Sequence, residues 1–348
     1  MKVSGRTLKK KILLLNLILG LIIISGCASN KKPVEAQYFA FDTYMKVSFF
    51  EPKVGKTSAE ITGLLINESE RLENLLSVTR ENSEVFEINS NGSKDGLSPD
   101  VSLLLSLSKE IWEKTGGAFD VSSYPYTKAW GFTTGTERVP DKEELSRLKE
   151  CVGFSKISFD DKSISLPENG MVDFGGIAKG YLGDVLAEKL IENKVESAML
   201  SLGGNIRVIG NKPTGELWKI GIADPENPTS ICGYVSVENT NVVTSGGYER
   251  FFVGEDGKEY CHIIDPKTGI PVDNNVASVT VIGECGAICD ALSTGVYVLG
   301  EEGCEPVLSA FPEYSFIIIT KDKKIKISDE IKDSFTLTGE YKVEEITE

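Results

Sequence analysis

The sequence predicts an α+β (mixed α/β) chain in which largely antiparallel sheets carry inserted helices. Three observations predict it. Short apolar runs with period-two alternation outnumber the stretches with helical spacing. Successive runs look like antiparallel neighbours, and no regular strand–helix–strand series is present. The 34 glycines cluster, as they do where tight turns and close backbone approaches recur.

The elements follow in order. "YFAFDTYMKVSFF", residues 38–50, alternates as a strand. From Thr57 to Leu76 the apolar positions Ile61, Leu64, Leu65, Leu72, Leu75 and Leu76 have helical spacing. A second helix over Pro99–Thr115 carries Val101, Leu104, Leu105, Leu107 and Ile111 on one side. "MVDFGG", Met171 to Gly176, reads as a strand breaking into a glycine turn. The helix "IAKGYLGDVLAEKLIENK" follows, with Ile177, Tyr181, Val185 and Leu186 inward. "SAMLSLGGNIRVIG" predicts two strands about a glycine turn. "WKIGIADP", "GYVSVENTNVVTSG", "YERFFV" and "ASVTVIG" predict further strands. "GAICDALSTGVYVLG" is helical in pattern, and "YSFIIITK" and "KIKIS" close the chain as strands.

The N-terminus stands apart. Lys2, Arg6, Lys9, Lys10 and Lys11 precede the apolar run "ILLLNLILGLIII", which is short for a spanning helix. This is the form of a secretion signal, residues 1–26. It ends in "IISGC", and small residues before Cys27 resemble a lipobox that would make Cys27 the lipidated first residue. Residues 27–37 then form a polar tether and 38–348 the body. The expected location is the cell membrane, lipid-anchored on its extracytoplasmic face.

Charge fits a soluble body outside the cytoplasm. The chain has 37 basic and 52 acidic residues, net −15. Without the five basic residues of the leader, 32 face 52, a net of −20. Such a body is not expected to bind nucleic acid through its phosphates. An anionic ligand would need a metal or local backbone donors. Beyond Cys27 six cysteines are scattered without CxxC spacing, which argues against zinc. One or two disulfides, or a set of buried thiols, both remain open.

Five stretches carry chemistry. "TGGAFDVSSYPYTKAWGF" crowds aromatics into a turn-rich loop after a helix, and Ala118, Phe119 and Asp120 open it. It could receive a flat ring or simply plug the core edge. "DFGGIAKGY" bares the backbone at a helix start, beside Asp173 and Lys179. Its amides suit an anion and its carbonyls a cation. "VVTSGGYERFF" sets Thr244 and Ser245 before a glycine turn. "HIIDPKTG" contains His262, the only histidine, side by side with Ile263 and close to Asp265. In "DALST", Asp290 and Thr294 lie four apart on one helix face. They offer a carboxylate and a hydroxyl, hard oxygens of the kind Mg²⁺ takes. Neither G-x-x-x-x-G-K-[ST] nor G-x-G-x-x-G after a strand is present, which disfavours a plain nucleotide kinase or NAD dehydrogenase.

Together and in this order, "TGGAFD", "DFGGIAKGY", "TSGGYERFF", "HIIDPKTG" and "DALST" resemble the ApbE family of FAD:protein FMN transferases. The resemblance runs from about Tyr38 to Leu337 and implies an ApbE-like fold. It also implies a Mg²⁺-dependent activity that splits FAD, joins FMN through its phosphate to a threonine of an acceptor flavoprotein, and releases AMP. FAD is then a substrate. The acceptor would be an exported redox-complex subunit or another extracytoplasmic flavoprotein. Asp290 and Thr294 match the family's metal ligands, the carbonyl of Gly176 its backbone ligand, and Ser293 lies close by. Ala118, Phe119 and Asp120 match the FAD-contacting loop; Asp173, Lys179 and Ile263 match further FAD contacts. Thr244 and Ser245 join that set from the "TSGG" motif. His262 is the expected base for the threonine proton, with Asp265 or Asp173 as runner-up.

The chain also departs from the family. Phe41 and Asp42 replace a methionine–glycine pair, Thr79 stands where an aromatic is common, and Gly247 stands where a polar residue is frequent. Phe41 and Thr79 are the expected pocket residues at those places. Two rival readings share these residues: a Mg²⁺-dependent FAD pyrophosphatase yielding FMN and AMP, and a flavin-binding lipoprotein without turnover.

Overall fold

The computed structural model describes residues 32–346. The expected signal segment and Cys27 lie outside the described residues. The elements are β1 (Val34–Ala40), β2 (Thr43–Phe49), α1 (Ser58–Leu76), α2 (Glu84–Asn91), β3 (Ser93–Asp95), α3 (Pro99–Lys114), α4 (Tyr124–Trp130) and α5 (Lys142–Lys149). There follow β4 (Ser158–Phe159), β5 (Ser163–Ser165), α6 (Ala178–Glu192), β6 (Ala198–Leu202), β7 (Asn205–Ile209), β8 (Trp218–Asp224), β9 (Asn227–Val237) and β10 (Asn241–Gly246). The rest are β11 (Phe251–Val253), β12 (Glu259–Cys261), β13 (Ile264–Asp265), β14 (Ile270–Pro271), β15 (Val276–Gly283), α7 (Gly286–Gly303), α8 (Glu305–Ala310), β16 (Ser315–Thr320), β17 (Lys324–Ile327), β18 (Phe335–Leu337) and β19 (Lys342–Glu345).

A nine-stranded sheet in the order β1-β2-β6-β7-β10-β15-β16-β17-β19 organises the chain. Its pairings are antiparallel except β17 with β19, as an α+β chain requires. Side chains alternate across it with the period of the pleat. On β16, Phe316 and Ile318 join the helices on one face, while Ile317 and Ile319 meet Trp218, Ile220 and Val235 on the other. The three-stranded sheet β18-β9-β8 covers that second face. α3, α6 and α7 fill the first.

α1 starts with a reciprocal cap: Glu60 N–H donates to Thr57 Oγ1, and the Glu60 carboxylate accepts from Thr57 N–H. Ile61, Leu65, Leu72 and Leu76 are buried on its inner side. Pro99 begins α3 after the Ser98 cap. Five differences from the sequence reading have physical causes. Residues 171–174 form no strand, because the Val172 backbone pairs with the Asn89 side chain and Asp173 N–H donates to Val121 O. The run 38–50 is a hairpin, not one strand, because Phe41 and Asp42 turn the chain with φ of 51° and 54°. β1 begins at Val34, so the last residues of the expected tether are paired in the sheet. α6 buries Ala178, Gly180, Leu182, Gly183, Leu186, Ala187 and Leu190, whereas Tyr181 and Val185 sit half-buried at its margin. Tyr248 and Glu249 lie in a tight 3-10 turn at 247–249, and β11 starts only at Phe251.

The aromatic loop resolves toward packing. Tyr126, Trp130 and Phe132 are buried with Cys151, Val152 and Ile264, and Phe252 and Tyr260 close the cluster. Trp130 donates its indole N–H to Gly269 O at 2.8 Å. This satellite core fixes the two-stranded β11–β12 hairpin to the body. All six described cysteines are free, and Cys151, Cys232, Cys289 and Cys304 are buried.

Candidate active site

Three features meet at one end of the large sheet: the 41–42 turn, the Gly203–Gly204 turn and the end of β10. Met45 pairs with Leu202 and Val243 with Asn205, so Thr244–Gly246 run on past the glycine turn. Gly203 (φ 62°) is packed so closely on Thr43 that a Cβ there would lie 2.5 Å from its Cγ2. Both turns are therefore locked side by side.

α6 and α7 cross over this end through glycine. A Cβ on Gly180 would stand 2.0 Å from the Gly286 carbonyl oxygen and 2.8 Å from Asp290 Cβ. That contact lets Gly180 N–H donate to Asp290 Oδ2 at 2.9 Å. Asp184 anchors the start of α7 by accepting from Gly286 N–H (2.8 Å) and Ala287 N–H (3.0 Å), as carboxylates do at helix N-termini. Asp290 is 3 % exposed.

Around Asp290 lies a group of hydroxyls. Ser293 Oγ donates to the Asp290 carbonyl at 2.8 Å, and Ser245 Oγ lies 2.7 Å from Ser293 Oγ and 3.3 Å from Thr294 Oγ1. Gly176 faces the same hydroxyl: its missing Cβ would be 3.7 Å from Thr294 Oγ1 and 3.2 Å from the Phe119 ring. Phe119 is held from the other side by Gly295, where a Cβ would be 3.4 Å from its own Cβ. The structure thus brings Gly176, Asp290, Ser293, Thr294, Ser245 and Phe119 together.

These residues fit a hard divalent cation. One Asp290 carboxylate oxygen is tied to a neutral amide, and the Ser293 and Thr294 hydroxyls turn to the Asp290 main-chain carbonyl one turn along the helix. Among the described residues no three His, Cys, Asp or Glu side chains converge, so a cation here would be held by one carboxylate and neutral oxygens. Mg²⁺ accepts that donor set when substrate phosphates complete its shell. Electrostatics agree. Glu249 stands in the 247–249 turn with its Oε1 3.3 Å from the place of a Gly204 Cβ. The residue is exposed overall, but desolvation of its carboxylate raises its pKa to about 7, with Lys179 opposing the rise and Asp290 adding to it. Two carboxylates thus repel each other at a place where a cation would relieve both.

Lys179 is the charge at the centre. Its ammonium lies 3.5 Å from Gly175 O and shifts Asp173, Glu249 and His262 together. Asp173 accepts from Gly175 N–H at 2.9 Å, and burial of its recessed carboxyl raises its pKa. His262 Nδ1 lies 3.1 Å from Arg250 O, whose carbonyl also accepts His262 N–H at 3.0 Å. A carbonyl only accepts, so Nδ1 carries the proton and Nε2 keeps a free lone pair. Desolvation of the half-buried ring lowers the imidazole pKa to about 4; the bond to the Arg250 carbonyl opposes the fall, and the Lys179 and Arg250 charges add to it. The ring is neutral at neutral pH.

Other expected residues take different places. Both Asp265 oxygens serve their own turn, accepting from Lys267 N–H (2.9 Å) and Thr268 Oγ1 (3.0 Å). Thr244 bonds Thr280 at 2.8 Å on the face opposite Ser245, out of the cluster, because neighbours on a strand point oppositely. The Asp120 carboxylate accepts from Ser122 N–H and Oγ and from Phe154 N–H, and so shapes the loop that seats Ala118 and Phe119. Ile263 is buried beside His262. Phe41 packs on two cores at the sheet end, and Thr79 sits exposed in the loop after α1, bonded to Ser77. Glu249, the Gly180–Gly286 crossing and the Arg250 carbonyl were not singled out from sequence. Glu249 lay inside a recognised motif; the other two are contacts between distant segments.

The chain is similar to known proteins over most of its length. The ApbE family model matches residues 41–318. A protein of Treponema pallidum (strain Nichols) named FAD:protein FMN transferase is 34% identical over 284 residues, 75% of this chain and 77% of that protein. One of the same name from Haemophilus influenzae is 32% identical, covering 77% and 79%. The crystal structure of the ApbE protein of Thermotoga maritima superposes with a TM-score of 0.80 at 30% identity, over 87% of this chain and 99% of that one. The flavin transferase ApbE of Vibrio cholerae gives 0.76 at 27%, over 88% and 97%. With the family model matched from the first hairpin to β16, and with these relatives alike over three quarters of its length, the chain belongs to the ApbE family.

Proposed function

We propose that the protein is a Mg²⁺-dependent FAD:protein FMN transferase, which moves FMN from FAD to a threonine of an acceptor flavoprotein and releases AMP. The observation that carries this reading is the convergence of a neutral histidine, a lysine and a buried carboxylate–hydroxyl group at one end of the sheet. The names of the relatives support the reaction class.

The acceptor oxygen bonds to the phosphorus of the FMN half as the bond from that phosphorus to the bridging oxygen breaks. AMP leaves with the bond electrons. His262 Nε2 takes the threonine proton, and the Arg250 carbonyl holds the ring in the tautomer that allows it. Lys179 pairs with diphosphate charge and thereby stops depressing His262. Gly175 and Gly176 let the diphosphate approach the backbone at the start of α6. Asp290, Thr294 and the Gly176 carbonyl would hold Mg²⁺, with Ser293 and Ser245 hydrogen-bonding around them. When bound, the ion neutralises diphosphate charge, the main demand of phosphoryl transfer. Phe119, fixed between Gly176 and Gly295, forms a rigid wall beside that place.

The decisive experiment incubates the protein with FAD, Mg²⁺ and a threonine-bearing acceptor domain. Covalent flavin on the acceptor supports transfer. Free FMN with unmodified acceptor means hydrolysis, and neither product means binding alone. We further propose a lipid anchor at Cys27 on the extracytoplasmic face. A Cys27→Ser chain that still carries labelled fatty acid and remains with membranes would refute it.

A further inference from the structure

The strand next to His262 has an open edge. In the β11–β12 hairpin, Phe251 faces Cys261, Phe252 faces Tyr260 and Val253 faces Glu259. His262 N–H donates to Arg250 O at 3.0 Å, and Gly254 N–H to Lys258 O at 2.8 Å. Hydrogen-bonded pairs alternate along an antiparallel ladder. The bonded pairs are therefore 250/262, 252/260 and 254/258. The N–H and C=O of Phe251 and Val253 point away from β12, and no other described strand pairs with β11.

The side chains on this strand are equally unusual. Phe252 turns inward against Trp130, Phe132 and Tyr260. Phe251 and Val253 share the opposite face and are 49% and 59% exposed. An exposed edge with apolar side chains is a template for another strand, and proteins normally blunt such edges. Here it ends at Arg250, whose carbonyl orients His262.

We infer that β11 is the docking edge for the acceptor protein: an extended segment flanking the target hydroxyl adds to it as a strand, by backbone pairing at Phe251 and Val253. This rests on the transferase reading above. The second substrate of that reaction is a polypeptide whose hydroxyl must reach His262 Nε2, and the edge is continuous with that site. Strands pair about 4.8 Å apart and advance about 3.3 Å per residue. A segment paired with Phe251 and Val253 therefore carries its next residues past Arg250, toward His262. Alternate side chains of the segment would meet Phe251 and Val253, which favours small or apolar residues there.

Val253→Pro tests this selectively. It deletes an outward N–H and leaves the β11–β12 ladder intact, and proline is tolerated on such an edge. The mature protein is assayed with FAD, Mg²⁺ and an acceptor domain that the wild type flavinylates. The expected result is a fall of about tenfold or more in kcat/KM for the acceptor, with FAD affinity and acceptor-independent FMN release unchanged. A second variant, Phe251→Lys with Val253→Lys, blunts the edge by charge and should act alike. Amide hydrogen exchange adds a direct readout: residues 250–254 should become protected when acceptor is added. Acceptor KM within about twofold of wild type in both variants would overturn the proposal. So would protection that needs no acceptor and grows with protein concentration, because β11 would then pair with a second copy. A wild type that flavinylates no acceptor would instead sink the transferase reading itself.

Discussion

Replacing Gly180 by alanine should damage both the fold and the site. The new Cβ would lie 2.0 Å from the Gly286 carbonyl oxygen, 2.5 Å from its carbon and 2.8 Å from Asp290 Cβ. Ordinary contact starts near 3.4 Å, so α6 and α7 must part by roughly 1.4 Å at this point. Neither neighbour can swing aside: one is backbone in the first turn of α7, held by Asp184, and the other belongs to a buried side chain. Overpacking costs about 1–3 kcal/mol. Loss of the 2.9 Å bond from Gly180 N–H to the Asp290 carboxylate costs about 1.5–3 kcal/mol more. Together these predict a loss of roughly 2.5–6 kcal/mol. At about 2 °C per kcal/mol for a chain of this size, Tm should drop by about 5–12 °C. Thermal unfolding followed by circular dichroism measures it. Gly63→Ala is the control: that position in α1 has nothing within 4 Å of a new Cβ, so alanine should stabilise slightly. A Gly180→Ala protein that melts within about a degree of wild type would show that the helices do not cross as described.

Four further outcomes follow from the site. His262→Gln should abolish the acidic limb of kcat/KM. In the wild type that limb should centre near about 4, because protonation removes the base only as pH falls through its lowered pKa. Lys179→Met should shift the limb upward, since it removes a cation that opposes protonation; a downward shift would contradict the assignment. Asp290→Asn keeps an oxygen for Gly180 N–H, so Tm should hold while turnover falls about 100-fold or more. Equal losses in FAD affinity and rate would count against a role in charge neutralisation. Apparent Mg²⁺ affinity should rise with pH through about 7, as Glu249 loses a competing proton. A calorimetric titration in which Glu249→Gln leaves that slope unchanged would remove Glu249 from the ion's surroundings.

Much of this was legible because the local chemistry agrees with the fold. The apolar period of α1 and α3 found Ile61, Leu65, Leu72, Val101, Leu104 and Ile111, all buried. Asp290 and Thr294 share one helix face, as four-residue spacing demands, and Gly176 meets Thr294. Other features were invisible for definable reasons. The 41–42 hairpin turn uses phenylalanine and aspartate in the left-handed region, where asparagine and glycine are the usual signal. α6 is buried on two sides, against α7 through Gly180 and against α1 through Leu182 and Leu186, so large apolar residues do not trace its inner face. β3, β4 and β5 have two or three residues each and are too short for a period to register. Thr244 and Ser245 read alike as neighbouring hydroxyls; only the position of α7 tells which one faces the cluster.

The same physics explains why the site lies where it does. A buried carboxylate is expensive unless a charge or several donors meet it. Asp290 is 3 % exposed and receives a single amide proton from Gly180. The Glu249 carboxylate is near enough for Asp290 to raise its pKa, and Lys179 is shared with Asp173 and Glu249. A chain that had only to fold would gain by placing an apolar residue at 290, where Ala287, Ala291 and Leu292 already pack. Retaining negative charge there, and bringing two helices to glycine contact to position it, makes sense if a cation and an anionic diphosphate complete the electrostatics. Local rules of stability are thus broken at one end of the sheet, where the turns, α7 and His262 are also fixed most tightly.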